Sequence, residues 1–140
     1  MDNNLEELKQ IIIKANPSIL DLKFGCKVKT ETVVIEGKII RSLSNDRVEV
    51  LVEGINNQII FKNQIAEILG RDIILSDVLV ALRKKNLKIA IVVEENNLII
   101  NYWDSKPAFK FPRNTCNWIP KKPLHEQSKE TIEFLYELLK

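Results

Sequence analysis

Between Ser105 and Leu124 the sequence carries Lys106, Lys110, Arg113, Lys121 and Lys122 and no acid. Phe109, Phe111 and Trp118 are interleaved with these cations, Tyr102 and Trp103 stand just ahead, and Asn114 and Asn117 supply amides. Cations neutralise phosphates, aromatic faces stack on bases and amides read base edges, so the combination suits a nucleotide or a single nucleic-acid strand. The candidate contacts are Arg113, Lys110, Phe111, Asn114, Trp118 and Trp103. Arg113 leads them because only a guanidinium presents the planar fork that grips phosphate with two bonds. The same residues also have a structural reading, in which the aromatics anchor a proline-rich loop to the core while the lysines solvate it.

Other chemistry is narrowed by inventory. His125 is the only histidine and falls at the edge of the last predicted helix, a place for capping or exposure rather than general base work. Cys26 and Cys116 could form at most one bridge, and no CxxC pair or Cys/His cluster offers a zinc site. Cys26 follows Phe24-Gly25 at a strand start, where small buried thiols are common; Cys116, in the basic loop, could have a lowered thiol pKa. Glu36-Gly37-Lys38 has the E-x-K spacing of metal-dependent nucleases, with Asp21 as a second carboxylate, although Gly37 also reads as a turn or bulge. Gly25, Gly37, Gly54 and Gly70 are isolated, so there is no glycine-rich phosphate loop. The expectation is a binding protein rather than an enzyme, with no catalytic residue, metal or cofactor.

The elements that would position these residues follow from periodicity. A chain of 140 residues, 45% hydrophobic and 29% charged, has the size and balance of one domain spanning 1–140. Its net charge is +2, so the basic loop, at +5, leaves the rest at −3 and any charge effect is local. MDNNLEELKQ has acids where a secretory signal needs bases, and no apolar run reaches the roughly 18 residues that span a bilayer, so neither export nor membrane insertion is expected.

Leu5, Leu8, Ile11, Ile12 and Ala15 predict an amphipathic helix within 1–20 that ends by Asn16 before Pro17, with Asn4 and Glu7 as a capping-box variant. Residues 22–69 read as an antiparallel meander: Val48, Val50 and Val52 alternate with Glu49, Leu51 and Glu53, and Ser44-Asn45-Asp46 and Asn56-Asn57 supply turns. A second helix over 75–85 has Ser76 as N-cap and ends in Arg83, Lys84 and Lys85, which suit a solvated C-terminus or, alternatively, a nucleic-acid contact. A hairpin over 87–103 turns at Glu94-Glu95-Asn96-Asn97, and the nearly continuous apolar run KIAIVV predicts a strand covered on both faces. Residues 105–123, with four of the five prolines, predict a long loop, and Ser128 caps a last helix over 126–139. The fold class is α+β: a curled antiparallel sheet or small barrel-like meander packed by N-terminal, middle and C-terminal helices.

Three blocks, ANPSILDLKFGC at 15–26, EILGRDIILSDVLVALRK at 67–84 and PLHEQSKETIEFLYELLK at 123–140, cover about a third of the chain. Together they resemble a group of short proteins encoded by bacteriophages and prophages, in which a strand-start FGC, an ILGR ahead of a capped helix, and a QSxET tail followed by FLxxLL recur. The resemblance implies a protein made in the cytoplasm of an infected bacterium. It implies counter-defence by stoichiometric binding, either blocking an immune effector as anti-CRISPR proteins do or sequestering a nucleotide immune signal. No site residue is implied by it. The partner would be a host defence protein or a nucleotide signal, without membrane association, and self-association is left open by the apolar stripes. The alternative is an accessory protein that binds single-stranded nucleic acid; a nuclease built on Glu36 and Lys38 comes last.

Overall fold

The structure, a computed structural model, describes residues 3–31, 36–54, 56–102 and 115–140. The chain divides into two compact units, Pro17–Asp72 and Met1–Asn16 together with Ile73–Lys140. The class is α+β: the described residues form three α-helices, a five-stranded and a three-stranded antiparallel sheet. Among the described residues no helix is long and apolar enough to cross a membrane.

In Pro17–Asp72, a 3-10 turn Pro17–Leu20 leads into strands β1 (Lys27–Thr30), β2 (Glu36–Leu43), β3 (Arg47–Leu51), β4 (Gln58–Phe61) and β5 (Ile65–Gly70). The alternation expected of β3 is present: Val48, Val50 and Val52 are buried with Cys26, Val28 and Ile39, while Leu51 and Glu53 are exposed. Asn45 and Asp46 both adopt positive φ between β2 and β3, the conformation that short polar side chains tolerate. Register shifts in the β1–β5 and β2–β3 pairs bend the sheet.

The strand order is β4-β3-β2-β1-β5, so the sheet is curled but not closed into a barrel, and the last strand leaves the expected meander to pair with the first. A 3-10 turn, Lys62–Gln64, explains that departure. The Phe61 N–H, which a further strand beside β4 would need, donates to Gln64 Oε1 at 2.8 Å, and the Gln64 carbonyl accepts from Glu31 N–H beyond β1 at 3.0 Å. One residue thus blunts one edge and passes the chain to the other.

The second unit holds α1 (Asn3–Ala15), α2 (Leu75–Lys84), α3 (Lys129–Leu139) and strands β6 (Ile89–Val93), β7 (Leu98–Tyr102) and β8 (Thr115–Trp118), ordered β6-β7-β8. Leu8 and Ile12 of α1, Val78 and Leu82 of α2, and Ile132 and Leu135 of α3 are buried, as helical spacing requires. Four local expectations are corrected here. Asn4 and Glu7 do not form a capping box: Asn4 Nδ2 donates to both Glu133 oxygens at 3.0 and 2.9 Å, and Glu7 accepts from Tyr136 Oη at 2.5 Å, tying α1 to α3. Ser76 lies inside α2, whose N-cap is Ile74. The Ile74 N–H donates to Asp77 Oδ2 at 3.0 Å, and Asp77 Oδ1 accepts from Asn16 Nδ2 at 2.8 Å.

Residues 105–123 are not all loop, because 115–118 form β8 on the far side of β7. The run KIAIVV is not covered on both faces either: β6 is an edge strand, and Val92 and Val93 are exposed. By contrast Ser128 caps α3 as expected, accepting from Thr131 N–H at 3.2 Å.

The basic end of α2 has a structural use. Lys84 Nζ donates to the Ala15 carbonyl at the end of α1, and Lys85 Nζ donates to the Leu139 and Lys140 carbonyls at 2.9 and 2.6 Å at the end of α3. Two lysines of one helix therefore satisfy the unpaired carbonyls of two others.

Asp77 is 2% exposed, so losing its carboxylate takes a partner from the half-buried Asn16 amide and from the Ile74 N–H at the start of α2. Asp77→Ala should lower stability by about 2 kcal/mol, whereas Ser76→Ala, at an exposed position with no capping bond, should change it by less than about 0.5 kcal/mol. Urea unfolding of both variants separates the two caps.

Candidate functional site

Of the six candidate contacts, Arg113, Lys110, Phe111, Asn114 and Trp103 lie outside the described residues. Trp118 is on β8 opposite Leu98 and is only 2% exposed, so its indole packs in the interior of its unit and offers no open face to a base. Asn117 is held by its backbone, its carbonyl accepting from Thr131 Oγ1 at 2.5 Å. The segment after β8 is pinned by buried Gln127, which accepts from Ile119 N–H at 2.8 Å and donates to the Ile119 and Lys122 carbonyls at 3.0 and 2.9 Å. His125 is exposed on a 3-10 turn, Leu124–Glu126.

Within Pro17–Asp72 the sheet forms a groove of about 470 Å³ lined by Lys27, Glu36, Gly37, Lys38, Leu51 and Glu53, among others. Antiparallel register makes it: Lys27 lies opposite Lys38, Val28 opposite Gly37, and Lys38 opposite Leu51. Gly37 is neither turn nor bulge. A Cβ there would stand 2.1 Å from Val50 Cγ1, so glycine is required for β2 to lie this close over the buried valine. Lys27 is paired with Asp72 at 3.2 Å. The Glu36 and Lys38 of the E-x-K triplet do line one groove, but among the described residues no group of three or more His, Cys, Asp or Glu side chains is placed to hold a metal.

Beyond Leu51 the groove opens onto the outward face of β2, β3 and β4. Ile59 is 56% exposed and lies opposite Glu49; Phe61 is 50% exposed and lies opposite Arg47; Leu51 is 47% exposed. Arg41, opposite Glu49 on β2, pairs with its carboxylate, whose other oxygen accepts from Asn57 Nδ2 at 3.2 Å. Three large apolar side chains are therefore held among two arginines on a rigid sheet. The outward half of β3 is legible in the alternation of Arg47, Glu49 and Leu51. QIIF of β4 lacks that alternation, which hides Ile59 and Phe61 from a periodicity argument.

Both cysteines are free and buried. Burial pushes the Cys116 thiol up to about 12, the reverse of the lowered value expected for the basic loop, and burial also raises Cys26. Neither is placed as a nucleophile at neutral pH. No protein-family model, curated protein or solved structure matches this chain.

The Cys116 shift sets an alkaline limit. The ordinary thiol value is 9.0, so between about pH 9 and 12 the unfolded chain loses a proton that the folded chain keeps, and stability falls as pH rises. Each pH unit above 9 should cost up to about 1.4 kcal/mol through this group, and Cys116→Ala should remove that part of the slope. Denaturant midpoints measured from pH 8 to 10.5 for both proteins check it.

Proposed function

We propose that this chain acts by stoichiometric binding of a protein target through the outward face of β2–β4. The observation that carries the reading is the exposure of Leu51, Ile59 and Phe61 beside Arg41 and Arg47. Aromatic and arginine side chains held on a rigid scaffold dominate binding hot spots, and an exposed apolar cluster with a polar rim marks an interaction site. Lys38, Arg41 and Arg47 stand around the apolar side chains together with Glu36, Glu49 and Glu53, so the complementary partner presents an apolar patch with a rim of both charges. A phosphate-tracking role finds less support within this unit, because Lys27 pairs with Asp72 and Lys29 with Glu67 at 3.9 Å. The resemblance to phage and prophage proteins supplies the setting: a counter-defence protein that blocks a bacterial immune effector, anti-CRISPR-like in acting by occlusion.

The test is phage plating on bacteria carrying a panel of defence systems, with the chain expressed in each. Rescue of plating is expected against at least one system, with the effector captured by the tagged chain. The double substitution Ile59→Lys, Phe61→Glu should reduce capture and rescue at least tenfold while leaving the unfolding midpoint unchanged, since both side chains are exposed. Equal rescue by the double variant would overturn the surface assignment. A nucleotide retained by the purified protein in native mass spectrometry would overturn the protein-target reading in favour of signal sequestration.

A further inference from the structure

The two edges of the β6-β7-β8 sheet are treated differently. The β8 edge is covered by α3, whose Thr131 hydroxyl donates to the Asn117 carbonyl. Within this unit no described strand pairs along the other side of β6. Native edges are usually blunted by a proline, an inward charge or a bulge. Strand β6, Ile89–Val93, has none of these: its sequence is IAIVV, its pairing with β7 runs without a register shift, and Val93 at its end is 77% exposed.

The phase of the hydrogen bonds fixes which groups are open. Glu94 N–H donates to the Asn97 carbonyl at 2.9 Å, closing the hairpin. In an antiparallel pair bonded and non-bonded positions alternate, so Val92 and Ala90 bond to β7 opposite Ile99 and Asn101. Ile89, Ile91 and Val93 therefore turn their N–H and C=O groups towards the open edge. Charge appears only at the flanks, Lys88 three residues before Ile91 and Glu94 three residues after it, both exposed and neither in an ion pair among the described residues.

We propose that β6 is a self-recognition edge whose occupant is β6 of a second copy of this chain, paired antiparallel about Ile91. In that register Ile91 meets Ile91 of the second copy, Ile89 meets Val93, and each of these pairs exchanges two backbone hydrogen bonds. Val92 covers Ala90. Lys88 comes opposite Glu94 of the second copy at both ends, in non-bonded positions where side chains stand closest. Both ends are satisfied at once because the strand's charges are antisymmetric about Ile91, the requirement of an isologous contact. The pairing joins two three-stranded sheets into one continuous sheet and does not depend on the binding face assigned to β2–β4.

Sedimentation velocity of the full chain at about 100 μM should show a species of twice the 16.2 kDa chain mass. Lys88→Glu and Glu94→Lys, each at an exposed position, should separately weaken the dimer by about tenfold or more, because each places like charges opposite one another twice. The double reversal Lys88→Glu, Glu94→Lys should restore it to within about threefold, because the pairs are re-formed with their signs exchanged. A single-chain mass at that concentration would overturn the proposal. So would a dimer indifferent to both single reversals, or a double variant no tighter than the singles.

Discussion

Each peptide unit carries a donor and an acceptor that cannot be buried alone, and this structure is organised by how those groups are met where regular hydrogen bonding stops. Helix ends are met by side chains. Lys84 and Lys85 serve the carbonyl ends of α1 and α3, while Asp77 serves the N–H of Ile74, the N-cap of its own helix α2, and Ser128 serves the Thr131 N–H in the first turn of α3. Sheet edges receive the same treatment from Gln64 at Phe61 and from Thr131 at Asn117. These bonds do more than cap. Because most of the donors or acceptors stand on one element and serve another, each also fixes how α1, α2, α3 and β8 lie within their unit. A net bond of this kind is worth about 1 kcal/mol when formed and more when broken in a buried place, which makes the polar termini a determinant of packing alongside the apolar stripes.

This economy also decides which charges remain for binding. Lysines that look free in the sequence are employed: Lys85 on the end of α3, Lys27 on Asp72. Exposed ion pairs contribute little stability, but they do remove cations from the pool that could track a phosphate backbone. What is left in Pro17–Asp72 is an apolar face beside two arginines, one of them paired with Glu49, rather than a basic stripe. Its rigidity comes from the register of β2, β3 and β4 and from the close approach that Gly37 allows over Val50. A face with a fixed sheet behind it loses little conformational entropy on binding, which suits recognition of another folded surface.

The sequence made the local periods legible and the long-range partners illegible. Leu8 and Ile12 predict the buried side of α1, Val48 and Val50 that of β3, and Asn45-Asp46 its turn, because each signal lies within a few neighbouring residues. The same short window points to Ser76 as the cap of α2, because a hydroxyl just before an apolar stripe is the commoner signal. It does not show the role of Asp77, whose carboxylate is held by Asn16, 61 positions away in sequence. Strand β5 pairs with β1 rather than β4 for a comparable reason: the deciding bonds run from Gln64 to Phe61 and Glu31. As for the candidate site, the aromatic and basic types of residues 103–118 suggested stacking on a ligand. Composition does not distinguish an exposed indole from one buried on a strand, and Trp118 is the buried kind.

The reading of KIAIVV fails in an informative way. A strand whose alternate positions are all apolar belongs where both faces and both edges are covered, and that inference from residue type is sound. One chain alone does not provide the environment: β6 has β7 on one side and no described strand on the other, with Val92 and Val93 left exposed. The conflict between composition and position is resolved if the unit that folds is larger than the chain. Paired with a second β6, the strand becomes central rather than peripheral, its outward amides are met, and Val93 is set against Ile89 of the second copy. Lys88 and Glu94 then act as the register marks that a flat apolar edge otherwise lacks, since a slip of two residues would leave both charges without a partner. An apparently misplaced core strand is thus consistent with the rule that governs the rest of the molecule, in which a backbone group unmet by its own element is met by another.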